Sequence, residues 1–359
     1  MVCVFSDVFG QTSAWTDQRV KNNLNRRNWM RASVAIGTAA IGSTAIPGCI
    51  SGALHGQPEL VWGRRGFSEG RFLKPRAIAI DPADRLYIVD TTGRIQVFDA
   101  DGNYLRGWST PQTKNGRPTG LAVALPTGFS PSGVDGPDAQ LSAHRLLVAD
   151  THYYRMLCYT LSGKLVPEQQ IGGVAGYSPG EFAFVTDAVC DADGCFYIGE
   201  YGDSDRIQKF DPSGQFMTSW GGTGNQPGQF VRPQSLVVQG QTLWVADACN
   251  HRIQRFDLST PTPTLVGIFG SQGSESGQFY YPYDLTLAAD GTIVVCEYGN
   301  QRLQRIDSNG NWIASWGGPG FQNGQLYQPW GVVIDSDRRV HVLDSNNHRV
   351  QRLPLSQLS

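Results

Sequence analysis

Two kinds of side chain in this sequence could do chemistry together: carboxylates that end short apolar runs, and arginines that open the next run. They recur six times, as Asp90 with Arg94, Asp150 with Arg155, Glu200 with Arg206, Asp247 with Arg252, Glu297 with Arg302 and Asp344 with Arg349. A carboxylate so placed can cap its loop through backbone N–H groups and form a charge-assisted pair with the guanidinium. One pair per repeat reads as architecture rather than catalysis. The Glu at 200 and at 297, each before Tyr-Gly, is the one hint of local specialisation. His152, His251 and His348 lie in the loops of alternate repeats, a threefold spacing that suits a metal ion as well as plain loop structure.

A second set carries more promise. Arg76, Thr119, Thr186, Gln234, Tyr283 and Trp330 occupy one equivalent position, just after the lead-in to each repeat, and they vary while the frame around them repeats. Together they could stack on, and hydrogen-bond to, a polar organic ligand or a peptide. They could equally fill the mouth of a central channel. Asp187 and Asp284, one residue further on, could be ligands or bases. No Cys-x-x-Cys zinc pattern occurs, and no cofactor is implied.

The elements that position these residues are short strands. In the clearest copy, 277–317, Gly-Gln-Phe and Pro282 lead into Asp284-Leu-Thr-Leu-Ala, and Asp290-Gly291 makes a tight turn. A β-branched run ends at Glu297, Arg302-Leu-Gln-Arg-Ile306 alternates polar and apolar, and Asn311 to Trp316 closes the copy. Four strands in a meander, repeated roughly every 50 residues, are the pattern of a propeller blade. The other copies span 72–108, 117–165, 180–221, 228–270 and 324–353. The last lacks a fourth strand, and Glu59-Leu-Val-Trp-Gly63 reads like the end of a blade. The expected fold is therefore all-β: a six-bladed propeller of four-stranded antiparallel blades, closed by an N-terminal strand that hides both sheet edges. Residues 126–144 lengthen one turn of the second blade and read as an exposed loop that could dock a partner.

The chain has 359 residues with 29 basic and 31 acidic side chains, so nothing suggests a polyanion partner such as a nucleic acid. No apolar stretch reaches membrane-spanning length. Residues 1–48 read as a signal region: Arg26-Arg27 and Trp29 precede a weak apolar segment, which ends at Ile46-Pro-Gly-Cys49. The paired arginines resemble a twin-arginine signal, and Cys49 resembles a lipidated new N-terminus. Residues 49–58 would then be a tether and 59–359 the propeller, exported to the periplasm or cell envelope as a monomer. The spacing of Cys190 and Cys195 about a turn would allow a disulfide in that compartment. Cys158, Cys249 and Cys296 read as core fillers.

The run Val245-Ala-Asp-x-x-Asn-His-Arg-Ile-Gln-Arg-Phe256, with its Gly-Gln-Phe and Pro lead-in, resembles the NHL repeat, and the likeness covers about 59–353. Families with this repeat include exported bacterial sensors, RNA-binding regulators and peptidyl-hydroxyglycine lyases. For the lyases, the resemblance implies zinc-binding histidines just after the lead-in proline, with an Arg and a Tyr on neighbouring loops. None of the six residues there is His. Tyr201 and Tyr298 lie near the tyrosine position, while Ala248 stands where the Arg would be expected. The expectation is an exported, lipid-anchored binding propeller for a peptide, protein or glycan. The alternative is an enzyme, a metal-assisted hydrolase or lyase, using the same channel mouth.

Overall fold

The computed structural model describes residues 56–125 and 141–359; Cys49, the signal region and most of the inserted turn lie outside them. The described strands form six four-stranded antiparallel sheets. The first strand, β1 (Leu60–Trp62), is followed by the first blade, β2 (Pro75–Ile80), β3 (Leu86–Asp90), β4 (Arg94–Phe98) and β5 (Tyr104–Ser109). The second holds β6 (Gly120–Ala124), β7 (Arg145–Asp150), β8 (Arg155–Thr160) and β9 (Ile171–Gly172). The third holds β10 (Phe184–Cys190), β11 (Phe196–Tyr201), β12 (Arg206–Phe210) and β13 (Phe216–Gly221). In the fourth are β14 (Pro233–Gln239), β15 (Thr242–Asp247), β16 (Arg252–Asp257) and β17 (Thr264–Phe269). In the fifth are β18 (Pro282–Leu287), β19 (Ile293–Glu297), β20 (Arg302–Ile306) and β21 (Trp312–Gly317). The sixth has β22 (Val332–Ile334), β23 (Arg339–Asp344) and β24 (Arg349–Pro354), and β1 supplies its outer strand.

The expected closure is present. Leu60 pairs with Arg352, Val61 with Gln351 and Trp62 with Val350. The first strands of successive blades pack on one another around the axis, β22 meeting β2 to complete the ring. Each seam between blades is a separate apolar layer. At the seam between the sixth and first blades, Phe72, Ile78, Leu86, Ile88 and Phe98 face Val333, Leu343 and Val350, with Trp62 packed against them. Burying each such side chain contributes about 1.5–3 kcal/mol.

The links between blades need glycine at defined points. Gly221 (φ +109) and Gly270 (φ +83) both lie in the left-handed region, and a Cβ there would press on the rings of Phe230 and Phe279 at 2.7 and 2.2 Å. These are the buried Phe residues of the Gly-Gln-Phe lead-in, so the glycine lets the chain cross directly over its own anchor.

Two sequence expectations need correction. The second blade does not end at Leu165, which makes only a bridge to Tyr159; its outer strand comes after a 3-10 turn at Pro167–Gln169 and pairs Ile171 with Met156. Cys190 and Cys195 are both free. Cys190 lies opposite Phe196, so side-chain alternation puts Cys195 on the other face of the blade. Accordingly, Cys190 packs into the core toward the second blade and Cys195 into the core toward the fourth.

Candidate functional site

All six acid–arginine pairs form, with N···O distances from 2.6 to 2.9 Å and carboxylates almost wholly buried. Their work extends beyond their own loops. Asp247 accepts from Arg252 Nε at 2.8 Å, Asn250 Nδ2 at 2.9 Å, Gln254 Nε2 at 3.0 Å and the lead-in Val231 N–H at 2.8 Å. The other guanidinium nitrogens of Arg252 donate to the carbonyls of Asn225, Gln226 and Gln229. In five of the six blades the pair therefore fastens the incoming link to its blade, the second blade being the exception. Burial lifts the Asp247 carboxyl above its usual range, while Asn250, Val231 and Arg252 pull it back. Glu200 and Glu297 make the same bonds as the aspartates, so the Glu is a variant of the fastener and not a separate site.

A residue type passed over in the sequence completes this fastener. Gln208, Gln254, Gln304 and Gln351 are fully buried. Each donates through Nε2 to a lead-in carbonyl and accepts a lead-in glycine N–H; for Gln254 these are Gln229 O at 2.7 Å and Gly228 N at 2.9 Å. Alternation in the third strand reads as one wet face, but here the polar side chain faces the link. The second blade has Leu157 at this place and lacks the Gly-Gln-Phe lead-in, so both partners are missing together.

The histidines clasp neighbouring blades. His251 Nδ1 accepts the N–H of Tyr281 at 3.0 Å, and His348 Nδ1 accepts that of Lys74 at 2.9 Å. Asp205 does the same for Arg232 at 2.8 Å, and Gln301 for Gln328 at 3.3 Å. Each donor residue has a positive φ and precedes the lead-in proline. His152 packs on Phe184 at 5.4 Å. The threefold spacing therefore reflects blade seams, and among the described residues no three His, Cys, Asp or Glu side chains gather where they could hold a metal ion.

Burial holds both clasping imidazoles below their ordinary 6.5, and at His348 Arg65 and Lys74 add to it. The folded state thus favours the neutral ring. The clasps' full stability is present above pH 6.5 and is lost as pH falls from there through the lower folded values. Replacing both His251 and His348 by Gln, the residue doing this job at 301, is expected to flatten that acid limb in urea titrations. Stability at pH 7.5 should stay within about 1 kcal/mol. An acid limb identical to that of the parent would mean the rings do not clasp.

Of the six variable residues, Thr119, Thr186, Gln234 and Tyr283 are buried, and only Arg76 and Trp330 keep partial exposure. Thr186 Oγ1 donates to Pro233 O, and Thr119 Oγ1 to Thr186 O at 3.2 Å, so both threonines tie strands across seams. The others join a ring-and-cation chain. The Arg76 guanidinium lies 5.3 Å from the Trp330 ring. Trp330 meets Tyr283 at 5.1 Å and Tyr298 at 5.7 Å, both edge-on, and Tyr283 stacks on Tyr298 at 4.6 Å. Arg232 then sits over Tyr201 at 4.6 Å and Tyr283 at 5.4 Å, and its Nε donates to Gln234 Oε1 at 2.7 Å. Arg232 was not among the sequence candidates, because it precedes the proline. Its position varies as much as the one after it (Lys74, Arg232, Tyr281, Gln328), which was the available signal.

Below this layer, Asp187 is buried and Asp284 half-buried. Asp187 accepts from Leu236 N–H and Ala188 N–H, both at 2.9 Å. Asp284 accepts from Ser235 Oγ at 2.7 Å, Leu285 N–H at 2.9 Å and Val332 N–H at 2.8 Å. Burial pushes Asp284 up to about 7, and burial with the nearby Asp284 charge raises Asp187 well above the carboxylate range. The two acids line both a small void under Arg76, Thr119, Tyr283 and Trp330 and an axial cavity of about 220 Å³.

The NHL repeat family model matches residues 230–256 and 326–353, the fourth and sixth blades. This chain carries NHL repeats. The NHL propeller is 26% identical over 234 residues to peptidyl-glycine alpha-amidating monooxygenase of Mus musculus, covering 60% of this chain and 21% of that protein. It is 28% identical over 194 residues to NHL repeat-containing protein 3 of Mus musculus, covering 51% and 52%. The chain thus spans between a fifth and about half of these relatives' length. Among solved structures, a gluconolactonase from Xanthomonas campestris superposes with a TM-score of 0.53 at 14% identity, over 80% of this chain and 88% of that one. A streptogramin B lyase gives 0.52 at 12%, over 81% and 95%. These likenesses show the fold alone. At the six positions where the lyase resemblance implies zinc-binding histidines, this chain has Arg76, Thr119, Thr186, Gln234, Tyr283 and Trp330.

Proposed function

We propose that this NHL propeller is a binding module, and that it takes a peptide, protein or glycan at the channel mouth around Arg76 and Trp330. The observation that carries this is the continuous chain from Arg76 through Trp330, Tyr298 and Tyr283 to Arg232 and Tyr201. Aromatic side chains and arginine dominate binding hot spots because they offer large, rigid area with directional polar ends. Trp330 also has a buried indole N–H with no acceptor among the described residues. Peptide and glycan arrays probed with the full chain would find the ligand. Trp330→Ala is expected to weaken its binding by about 30-fold, the effect of a ~2 kcal/mol hot spot. Unchanged affinity in that variant, with the fold intact, would remove the site from the channel mouth.

An enzymatic reading draws on Asp284, a half-buried carboxyl pushed up to about 7 and so suited to proton transfer. Turnover of an array ligand, lost in Asp284→Ala but not in Trp330→Ala, would favour it.

The same proposal includes export and anchoring through Cys49, supported by Arg26-Arg27 and the small residues before the cysteine. No helix among the described residues is long and apolar enough to cross a membrane. Several acyl chains would hold the protein firmly, at roughly 0.8 kcal/mol per buried CH₂. Cys49→Ser is expected to move the protein from the membrane to the soluble fraction, and Arg26→Lys with Arg27→Lys to stop export. Wild-type protein found wholly in the cytosol would defeat this.

A further inference from the structure

The link into the first blade breaks the pattern of the others, and the break is electrostatic. In four links the residue before the buried Phe or Leu is an acceptor that closes the turn. Glu181 takes the N–H of Ser178, Gln229 that of Gln226, Gln278 that of Glu275 and Gln325 that of Gln322, each at 3.1 Å. The corresponding residue before Phe72 is Arg71, which has donors only. Further up the link, Arg64 and Arg65 stand where other links have Gly222 and Thr223, Ser271 and Gln272, or Gly318 and Pro319. Lys74 adds a fourth cation.

None of Arg64, Arg65, Arg71 and Lys74 has an ion-pair partner among the described residues, whereas every blade-loop arginine is paired. The link's one acid, Glu69, bonds to Tyr104. Arg65 and Lys74 lie close enough to His348 to act on its titration after burial has done so. Amid these charges Phe67 is 72% exposed, although Arg94 holds its carbonyl in place. The link runs from the outermost strand of the sixth blade to the innermost strand of the first. That is three strand spacings, about 14 Å, the length of roughly four extended residues. At its inner end Arg76 lies on Trp330.

We propose that this strip binds an acidic peptide segment in extended form, with carboxylates on Arg65, Arg71 and Lys74 and an apolar side chain on Phe67. The proposal rests on the reading of this face as a binding surface and names the partner's chemistry. A membrane plane would reach exposed Arg64 and Phe67 but not Arg71 and Lys74, which are half-buried along the link. Nucleic acid would call for a broad basic excess, and the chain's net charge is −2.

Fluorescence anisotropy of the full chain with a labelled pentapeptide, Glu-Ser-Phe-Ser-Glu, whose glutamates and phenylalanine share one face when extended, tests it, against the same peptide with glutamine for glutamate. The acidic peptide should bind at least about tenfold more tightly, and its affinity should fall as salt rises. Arg65→Gln with Arg71→Gln should weaken it by about tenfold. Arg71→Gln restores the acceptor of the other links, so this variant should melt no lower than the parent. Equal binding of the two peptides, indifference to the double substitution, or binding confined to phosphatidylglycerol vesicles or single-stranded RNA would overturn the proposal. An array ligand that needs Trp330 but ignores Arg65 and Arg71 would overturn it while leaving the channel-mouth reading in place. Acidic-peptide binding that needs Arg65 and Arg71 but tolerates Trp330→Ala would support the strip and count against the channel mouth alone.

Discussion

A chain lacking residues 56–64 is expected to lose its cooperative unfolding transition and to accumulate as insoluble protein. β1 is the outer strand of the sixth blade, and its Trp62 ring packs 4.7 Å from Phe98 and 5.7 Å from Phe72, across the seam that closes the ring. Losing a packed Trp alone costs about 3–5 kcal/mol. Typical domain stability is only about 5–15 kcal/mol. The deletion also bares the edge of β24, a template for pairing with another chain. Circular dichroism melts and sedimentation measure both effects. A truncated chain that melts like the intact one would show that the ring closes without β1.

Asp247→Ala is expected to destabilise the propeller by about 3–5 kcal/mol, because it leaves a buried guanidinium and a lead-in N–H without their acceptor. The cost reflects four donors converging on one carboxylate. The second blade provides an internal comparison. Asp150 holds Arg155 at 2.9 Å, but its Oδ1 is buried with no donor among the described residues. Asp150→Ala should therefore cost clearly less than Asp247→Ala in urea unfolding. Equal costs would mean that the bonds to the incoming link add nothing beyond the ion pair.

Most of the architecture was legible because strand period, turn residues and the acid–arginine beat all repeat at one interval. The closing strand was legible for the same reason, since Glu59 to Gly63 matches the end of a blade. The outer edge of the second blade was not, because the 3-10 turn before Ile171 has no counterpart in other blades. Within the site, the six positions after the lead-in could be found by variation inside a constant frame. Their exposure could not, since the burial of Tyr283 depends on Tyr298 and Trp330 closing over it from two blades. The fastening role of Gln254 was hidden because its partner is a link some 25 residues upstream, brought back by the blade's meander. The clasping histidines were ambiguous in sequence because seam spacing and metal spacing coincide.

The two ends of the propeller touch. Gln357 donates to the carbonyl of Gln57 at 3.0 Å, Trp316 to that of Gly56 at 2.8 Å, and Glu59 N–H to Arg352 O at 2.8 Å. A few linking residues could therefore join residue 358 to residue 56, with new ends opened at an exposed hairpin such as Asp307–Gly310. Such a circular permutant would keep every strand pairing while turning the sixth blade's non-covalent join into a continuous chain. The ring itself has no first blade, only one sheet, the sixth, within which its thread is cut.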